Sequence, residues 1–264
     1  MGLAANIVIL ALISAPAFCA DTVITKSKHK DAVDLSSFHA PAEDSTVISW
    51  LGKDRMRSEE GDHVTIVRTD LKKIYMLDMT AKTASTVELP LDLKQYVPPT
   101  LASKMDQMTQ RAKIALTPTK ETKKVKDWSA TKYTMAVTSP MGIEFTHEIW
   151  ATKDVKFDSA AFHELTGAIM STVIAGESMA AEYKKIEGLP VVIQRTQTVE
   201  TGQTITWREE VTSVETKDAP EGWYDVPKGF TEKPFDALED GPSNPRRGSG
   251  TPGERPPVGK PKGK

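Results

Sequence analysis

Apolar and polar residues alternate with a period of two through much of the chain, and the spacing changes to threes and fours in three places. Thr46-Val47-Ile48-Ser49-Trp50-Leu51 reads as a strand ending at Gly52, and Lys53 to Ser58 as a charged continuation suited to a solvated edge. Val64 to Thr69, Ile74 to Met79 and Ser85 to Leu89 follow between polar turns, which predicts an antiparallel meander. Pro98 and Pro99 break the alternation, and Thr100 can cap a helix whose stripe is Leu101, Met105, Met108 and Ala112. Methionines so placed pack a core or line an adaptable apolar pocket. Lys113 to Lys126 reads as a strand plus a basic loop. Asp158 can cap a second helix with Phe162, Leu165, Ile169 and Val173 on one face. A third carries Met179, Tyr183 and Ile186, and Gly188 and Pro190 stop it. Pro220 to Phe235 reads as a closing loop anchored by aromatics.

Two hairpins allow registers to be tested against the apolar pattern. In the first, Tyr133-Met135-Val137 faces Ile143-Phe145-Ile149 around Ser139-Pro140-Met141-Gly142. Pairing Val137 with Ile143 sets Met135 opposite Phe145 and Tyr133 opposite His147, which makes His147 an inward residue. Such a histidine is either a satisfied core residue or a ligand contact. The second hairpin, Gly188 to Val214, turns at Glu200-Thr201-Gly202-Gln203-Thr204. A three- or five-residue loop pairs Val199 with Ile205, Gln197 with Trp207, Arg195 with Glu209 and Ile193 with Val211. Arg195 and Glu209 then read either as a cross-strand ion pair contributing roughly 0.2–1 kcal/mol or as the polar handle of a binding cavity.

The chain has 264 residues and a formal charge of −2, which gives no global pull toward nucleic acid or membrane. Residues 1–20 hold no charged side chain and an apolar run from Ile7 to Ile13, followed by Ala15-Pro16-Ala17 and Ala20. They read as a secretory signal peptide, cleaved after Ala17 or Ala20. Cys19 is the one cysteine, and bulky Phe18 before it argues against a lipoprotein anchor. A mature chain without cysteine has no disulfide or thiolate metal site, so its core must hold it together in the periplasm or outside the cell. Residues 21–43 are polar and read as a flexible lead-in, and 44–235 as the folded domain. Residues 236–264, rich in proline and glycine, read as a disordered basic tail. Its Arg246, Arg247, Arg255, Lys260, Lys262 and Lys264 could touch an anionic envelope surface or serve only solubility.

Catalytic motifs fail on inspection. Gly176-Glu177-Ser178-Met179-Ala180 looks like a hydrolase nucleophile elbow, but that fold puts its histidine after the serine, and the last histidine is His163. His147-Glu148 and His163-Glu164 open like zinc-protease motifs without the second histidine. No phosphate loop, metal constellation or cofactor motif emerges, and the expectation is a protein that is not an enzyme and a monomer.

Several stretches together resemble a family of uncharacterised secreted bacterial proteins: Ile48 to Arg57, Lys73 to Asp78, Glu144 to Asp154 with Ile149-Trp150-Ala151-Thr152-Lys153, Gly188 to Val191, and Trp223 to Phe230. The resemblance covers residues 44–232. That family is similar to the LolA/LolB lipoprotein-carrier superfamily. It implies an α+β, mainly β fold: a curved antiparallel sheet or incomplete β-barrel, with helices over the concave face. It also implies a cavity for a lipid, an acylated molecule or another amphipathic ligand. The residues expected to line it are Met105, Met108, Tyr133, Phe145, His147, Arg195, Trp207 and Glu209. Few aromatics and the inward polar residues Arg195, Glu209 and His147 set this chain apart from a generous lipid carrier. The second expectation is an envelope interaction protein that docks through its basic tail.

Overall fold

A computed structural model describes residues 20–35, 38–199 and 202–237. In chain order come β1 (Asp21–Lys30), β2 (Val33–Leu35), β3 (Phe38–Ala40), β4 (Glu43–Leu51), β5 (Arg55–Glu60), β6 (His63–Arg68), β7 (Lys73–Asp78) and β8 (Thr83–Glu88). A 3-10 turn at Leu93–Tyr96 leads to α1 (Pro99–Arg111), then β9 (Lys113–Val125), β10 (Trp128–Thr138) and β11 (Glu144–Thr152). Helices α2 (Ser159–Met170) and α3 (Gly176–Tyr183) precede β12 (Leu189–Thr198), β13 (Thr204–Lys217) and β14 (Thr231–Lys233). Apart from the β2–β3 hairpin, the strands form one sheet in the order β14-β8-β7-β6-β5-β4-β1-β13-β12-β11-β10-β9. The sheet is large, curved, antiparallel and not closed into a barrel. Only short β14 runs parallel to its neighbour.

Two expectations are corrected at the centre of the sheet. Residues 21–30, read as part of a flexible lead-in, form β1, which pairs with β4 on one side and β13 on the other. It ties the sheet together because its Val23 and Ile24 are buried while Lys26, Lys28 and Lys30 alternate along one side. The charged stretch after Gly52 is not an edge. It is β5, held between β4 and β6, with Met56 and Arg57 buried on opposite faces. Lys113 to Val125 is likewise one strand, β9, at the outer edge of the sheet rather than a strand and a basic loop, and Lys126 lies in the turn after it. The export-type segment as far as Cys19 and the tail from 238 onward lie outside the described residues.

Side-chain parity sorts the sheet into two faces. On the helix face of the β4–β8 half, Leu51, Met56, Val67, Ile74, Met76 and Val87 pack against Met105 of α1 and Ala161 and Leu165 of α2. On the helix face of the other half, Tyr133, Met135, Val137, Ile149 and Ala151 pack with Tyr183 of α3 and Ile186. The outer face of β6–β8 is also closed. Val64, Ile66, Leu77 and Ala84 lie under Tyr224 of the closing loop. Each fully buried aliphatic side chain contributes roughly 1.5–3 kcal/mol. Asp158 caps α2 as expected, its carboxylate accepting from the Ala161 amide at 2.9 Å. Gly188 is required where it stands, since its φ is +90° and an added Cβ would lie 2.1 Å from the Thr152 carbonyl oxygen.

Both hairpin registers differ from the predicted ones by two residues on one strand. Met135 stands opposite His147 and Val137 opposite Phe145. Arg195 stands opposite Trp207, and Ile193 opposite Glu209. The turns decide this: the Val199 amide donates to the Gln203 carbonyl at 2.9 Å and the Ser139 amide to that of Ile143 at 2.8 Å. A slip of two preserves every side chain's face, so the inward set is the predicted one while the partners differ.

Candidate functional site

Successive cross-strand partners on the helix face form a row through six strands: Met135, His147, Arg195, Trp207, Lys30 and Glu43. The next row runs Tyr133, Ile149, Ile193, Glu209, Lys28 and Ser45. The sheet therefore passes from apolar side chains under α3 to charged ones over β1 and β4 within a few strands. Between the two lies a half-buried cluster.

Arg195 is its centre. The guanidinium carbon sits 4.1 Å from the ring centre of Phe145 and 4.3 Å from that of Trp207, so the cation is clasped between two aromatic faces. Nη2 donates to Gln197 Oε1 at 2.5 Å, while buried Nε has no partner among the described residues. The His147 ring stacks on Phe145, with centres 5.4 Å apart and planes 27° apart, and neither of its ring nitrogens, both buried, has a partner among the described residues. Burial, helped by the Arg195 charge and opposed by Glu209, lowers the His147 pKa to about 4. The imidazole is therefore neutral near pH 7, with one nitrogen donating and one accepting. Burial first, and then Glu209, push the Tyr183 hydroxyl up from its ordinary value. Arg195 is lowered by burial alone.

The expected Arg195–Glu209 pair does not form. The two-residue difference in register puts Trp207 opposite Arg195, and Glu209 instead faces Lys26, 3.7 Å away. Lys28 bridges to Glu60 at 2.9 Å, and Ser45 donates to the same carboxylate at 2.8 Å. Lys30 lies 3.7 Å from Glu43. These lysines were missed as site residues. Their signal was legible in Lys26-Ser27-Lys28-His29-Lys30, where spacing by two puts all three on one strand face.

Of the other predicted lining residues, Tyr133 is buried beside the cluster, its hydroxyl accepting from the Glu187 amide at 3.2 Å. Met105 is core of the other half, with Leu51 and Met56. Met108, half-buried on the same helix, joins neither core. Of the two methionines Met105 thus packs the β4–β8 half, and neither belongs to the core beside the Arg195 cluster.

Pairing of β11 with β12 stops at Thr146 and Thr196. Beyond it opens a cavity of about 540 Å³ lined by Ile114, Val137 and Phe145 together with Lys113, Glu144 and Gln197, among others. It therefore touches Phe145 under Arg195 and Gln197 beside it. A second cavity, of about 600 Å³, lies between α2, α3 and the chain after β8, against Leu89, Leu91, His163 and Lys184. Among the described residues no three His, Cys, Asp or Glu stand close enough to hold a metal, and no helix is long and apolar enough to cross a membrane.

An open antiparallel sheet with a helical cover and a half-buried cationic cluster defines the architecture. The chain belongs to the family described as a domain of unknown function, DUF4412, whose model matches residues 32–230. The match begins before the folded span expected from the sequence and takes in the β2–β3 hairpin. Among solved structures, the chain is similar to PNGF-II at 17% identity and a TM-score of 0.40, covering 83% of this chain and 32% of that one. It thus spans about a third of the length of PNGF-II. It is also similar to a putative outer membrane lipoprotein-sorting protein domain from Vibrio parahaemolyticus, at 5% identity and a TM-score of 0.31, covering 79% of this chain and 91% of that one. No curated protein sequence matches the chain.

Proposed function

We propose that this is an exported protein that binds a lipid or another amphipathic molecule without transforming it, on the helix face of the β9–β13 half. The observation that carries the reading is the juxtaposition, within one sheet face, of an apolar floor and a polar cluster with unpartnered buried groups. Ile114, Val137 and Phe145, which line the cavity, supply the floor, and His147 and Arg195 the polar groups. Buried polar groups ordinarily find partners, and leaving one without costs about 1–3 kcal/mol. Their grouping beside a cavity of about 540 Å³, within the usual size of ligand sites, fits a site that a ligand completes. A cation, a neutral imidazole and aromatic faces suit holding a molecule with a polar head. They include no nucleophile paired with a base. The uncharged apolar segment at residues 1–20 supports export. The resemblance of the sequence to the lipoprotein-carrier superfamily points the same way.

Native mass spectrometry of the gently purified mature protein, followed by solvent extraction, tests this. A co-purifying amphiphile, or saturable uptake of added fatty acid, phospholipid or acylated peptide, is expected. A protein that is always empty and takes up none of the three would end the reading.

A further inference from the structure

Four cations crowd the helix face between β12 and β4, and they are not equivalent. Lys26, Lys28 and Lys30 each face a carboxylate, those of Glu209, Glu60 and Glu43. Arg195 faces none among the described residues. Its one hydrogen-bond acceptor is the neutral amide of Gln197, and its Nε is buried and unpartnered. Glu209, the carboxylate nearest in register, stands opposite Ile193, a row away, and is engaged by Lys26. Neutral His147, the cross-strand neighbour of Arg195, adds a donor and an acceptor that nothing else uses. The cluster thus holds one positive charge more than it balances, partly out of water, where an uncompensated charge is unfavourable. The rings of Phe145 and Trp207, with centres 4.1 and 4.3 Å from its carbon, stabilise the guanidinium and take up none of its hydrogen-bonding capacity.

We infer that Arg195 receives the acidic group of an amphipathic anion, a carboxylate or a phosphate, with His147 as its hydrogen-bond neighbour. The apolar part of the ligand lies toward Phe145, Val137 and Ile114 in the cavity beyond the last β11–β12 pair. This rests on the binding function proposed above and adds the class of head group. The cavity behind the cation favours a small molecule over an acidic segment of another protein, which would need only the surface.

Four probes of one chain length, used below micelle-forming concentrations, test it on the full mature chain: dodecanoate, dodecyl phosphate, 1-dodecanol and dodecyltrimethylammonium. Trp207, in contact with Arg195, supplies the fluorescence signal, and calorimetry supplies the affinity. Wild type should bind both acids more tightly than the alcohol, and the cation least. Arg195→Met, which keeps most of the packing, should weaken the acids by about tenfold or more, the loss of one charge-assisted contact. It should weaken dodecanol far less than the acids, because a neutral hydroxyl loses no ion pair. Arg195→Lys should keep part of the preference, and a melting curve for each variant shows that it is folded. Arg195→Gln replaces the methionine variant should that one not fold. A stronger loss for dodecyl phosphate than for dodecanoate assigns the head group to phosphate, and the reverse to carboxylate. Equal binding of acids and alcohol by wild type, or acid binding untouched in Arg195→Met, overturns the inference and leaves the binding function standing. Binding of none of the four overturns both.

Discussion

The two halves of the sheet are built from the same alternation and end in opposite conditions. In the β4–β8 half both faces are shut, one by α1 and α2 and the other by the closing loop with Tyr224. In the β9–β13 half α3 covers the apolar rows, while the row of His147, Arg195 and Trp207 stays half-buried. Even its polar interior differs in kind. Buried Arg57 of the first half leaves no buried nitrogen without a partner among the described residues: Nε donates to Glu59 at 2.5 Å, Nη1 to the Trp223 carbonyl at 3.1 Å, and its carbon lies 4.3 Å from the Trp223 ring. Arg195 has the ring contacts and lacks the carboxylate. A guanidinium with every demand met is a structural part, and one with demands left over is equipped for a partner.

If the first half carries the stability, its core should be the most sensitive place. Ile74→Ala, at a fully buried position, should cost about 2–5 kcal/mol in chemical denaturation. A cost below 1 kcal/mol would remove the contrast. His147 should give the second half its pH signature. Its folded pKa of about 4 lies below the ordinary 6.5, so its contribution is whole above pH 6.5 and is lost as the pH falls from 6.5 toward 4. The unfolded chain there takes up a proton that the folded site refuses. Roughly 2–3 kcal/mol should disappear across that window, and His147→Phe should flatten the slope of stability against pH.

The seal on the first half should show next. Tyr224 donates to buried Asp21 at 2.6 Å, and Tyr224→Phe should cost about 1–3 kcal/mol by leaving that carboxylate without its partner. The smallest effect should come from the site. Arg195→Met should stay within about 1 kcal/mol of wild type, because removing an uncompensated half-buried charge offsets the lost ring contacts. A large loss there would make Arg195 a structural part like Arg57.

Much of the fold was legible because period-two patterns are local. The meander β6–β8, the three helices, the cap at Asp158 and the inward faces of both hairpins follow from residue order. β1 was not legible as a central strand. Its apolar content is confined to Val23 and Ile24, and its lysines look solvated until Glu43, Glu60 and Glu209 are brought beside them. β5 was misjudged for the same reason, since Arg57, with Glu59 beside it on the same strand, is buried under Trp223 of the distant closing loop.

By itself the sequence determined which side chains share a face, since alternation specifies parity, and it selected Phe145, His147, Arg195, Trp207 and Glu209 as inward residues. Only the tertiary structure decided who meets whom. A turn centred one residue away moves each partner by two positions without changing its face, and that shift took Glu209 from Arg195 and gave it to Lys26. The charge left over at Arg195 is a product of register, and register is set by turn geometry and by strands distant in the chain.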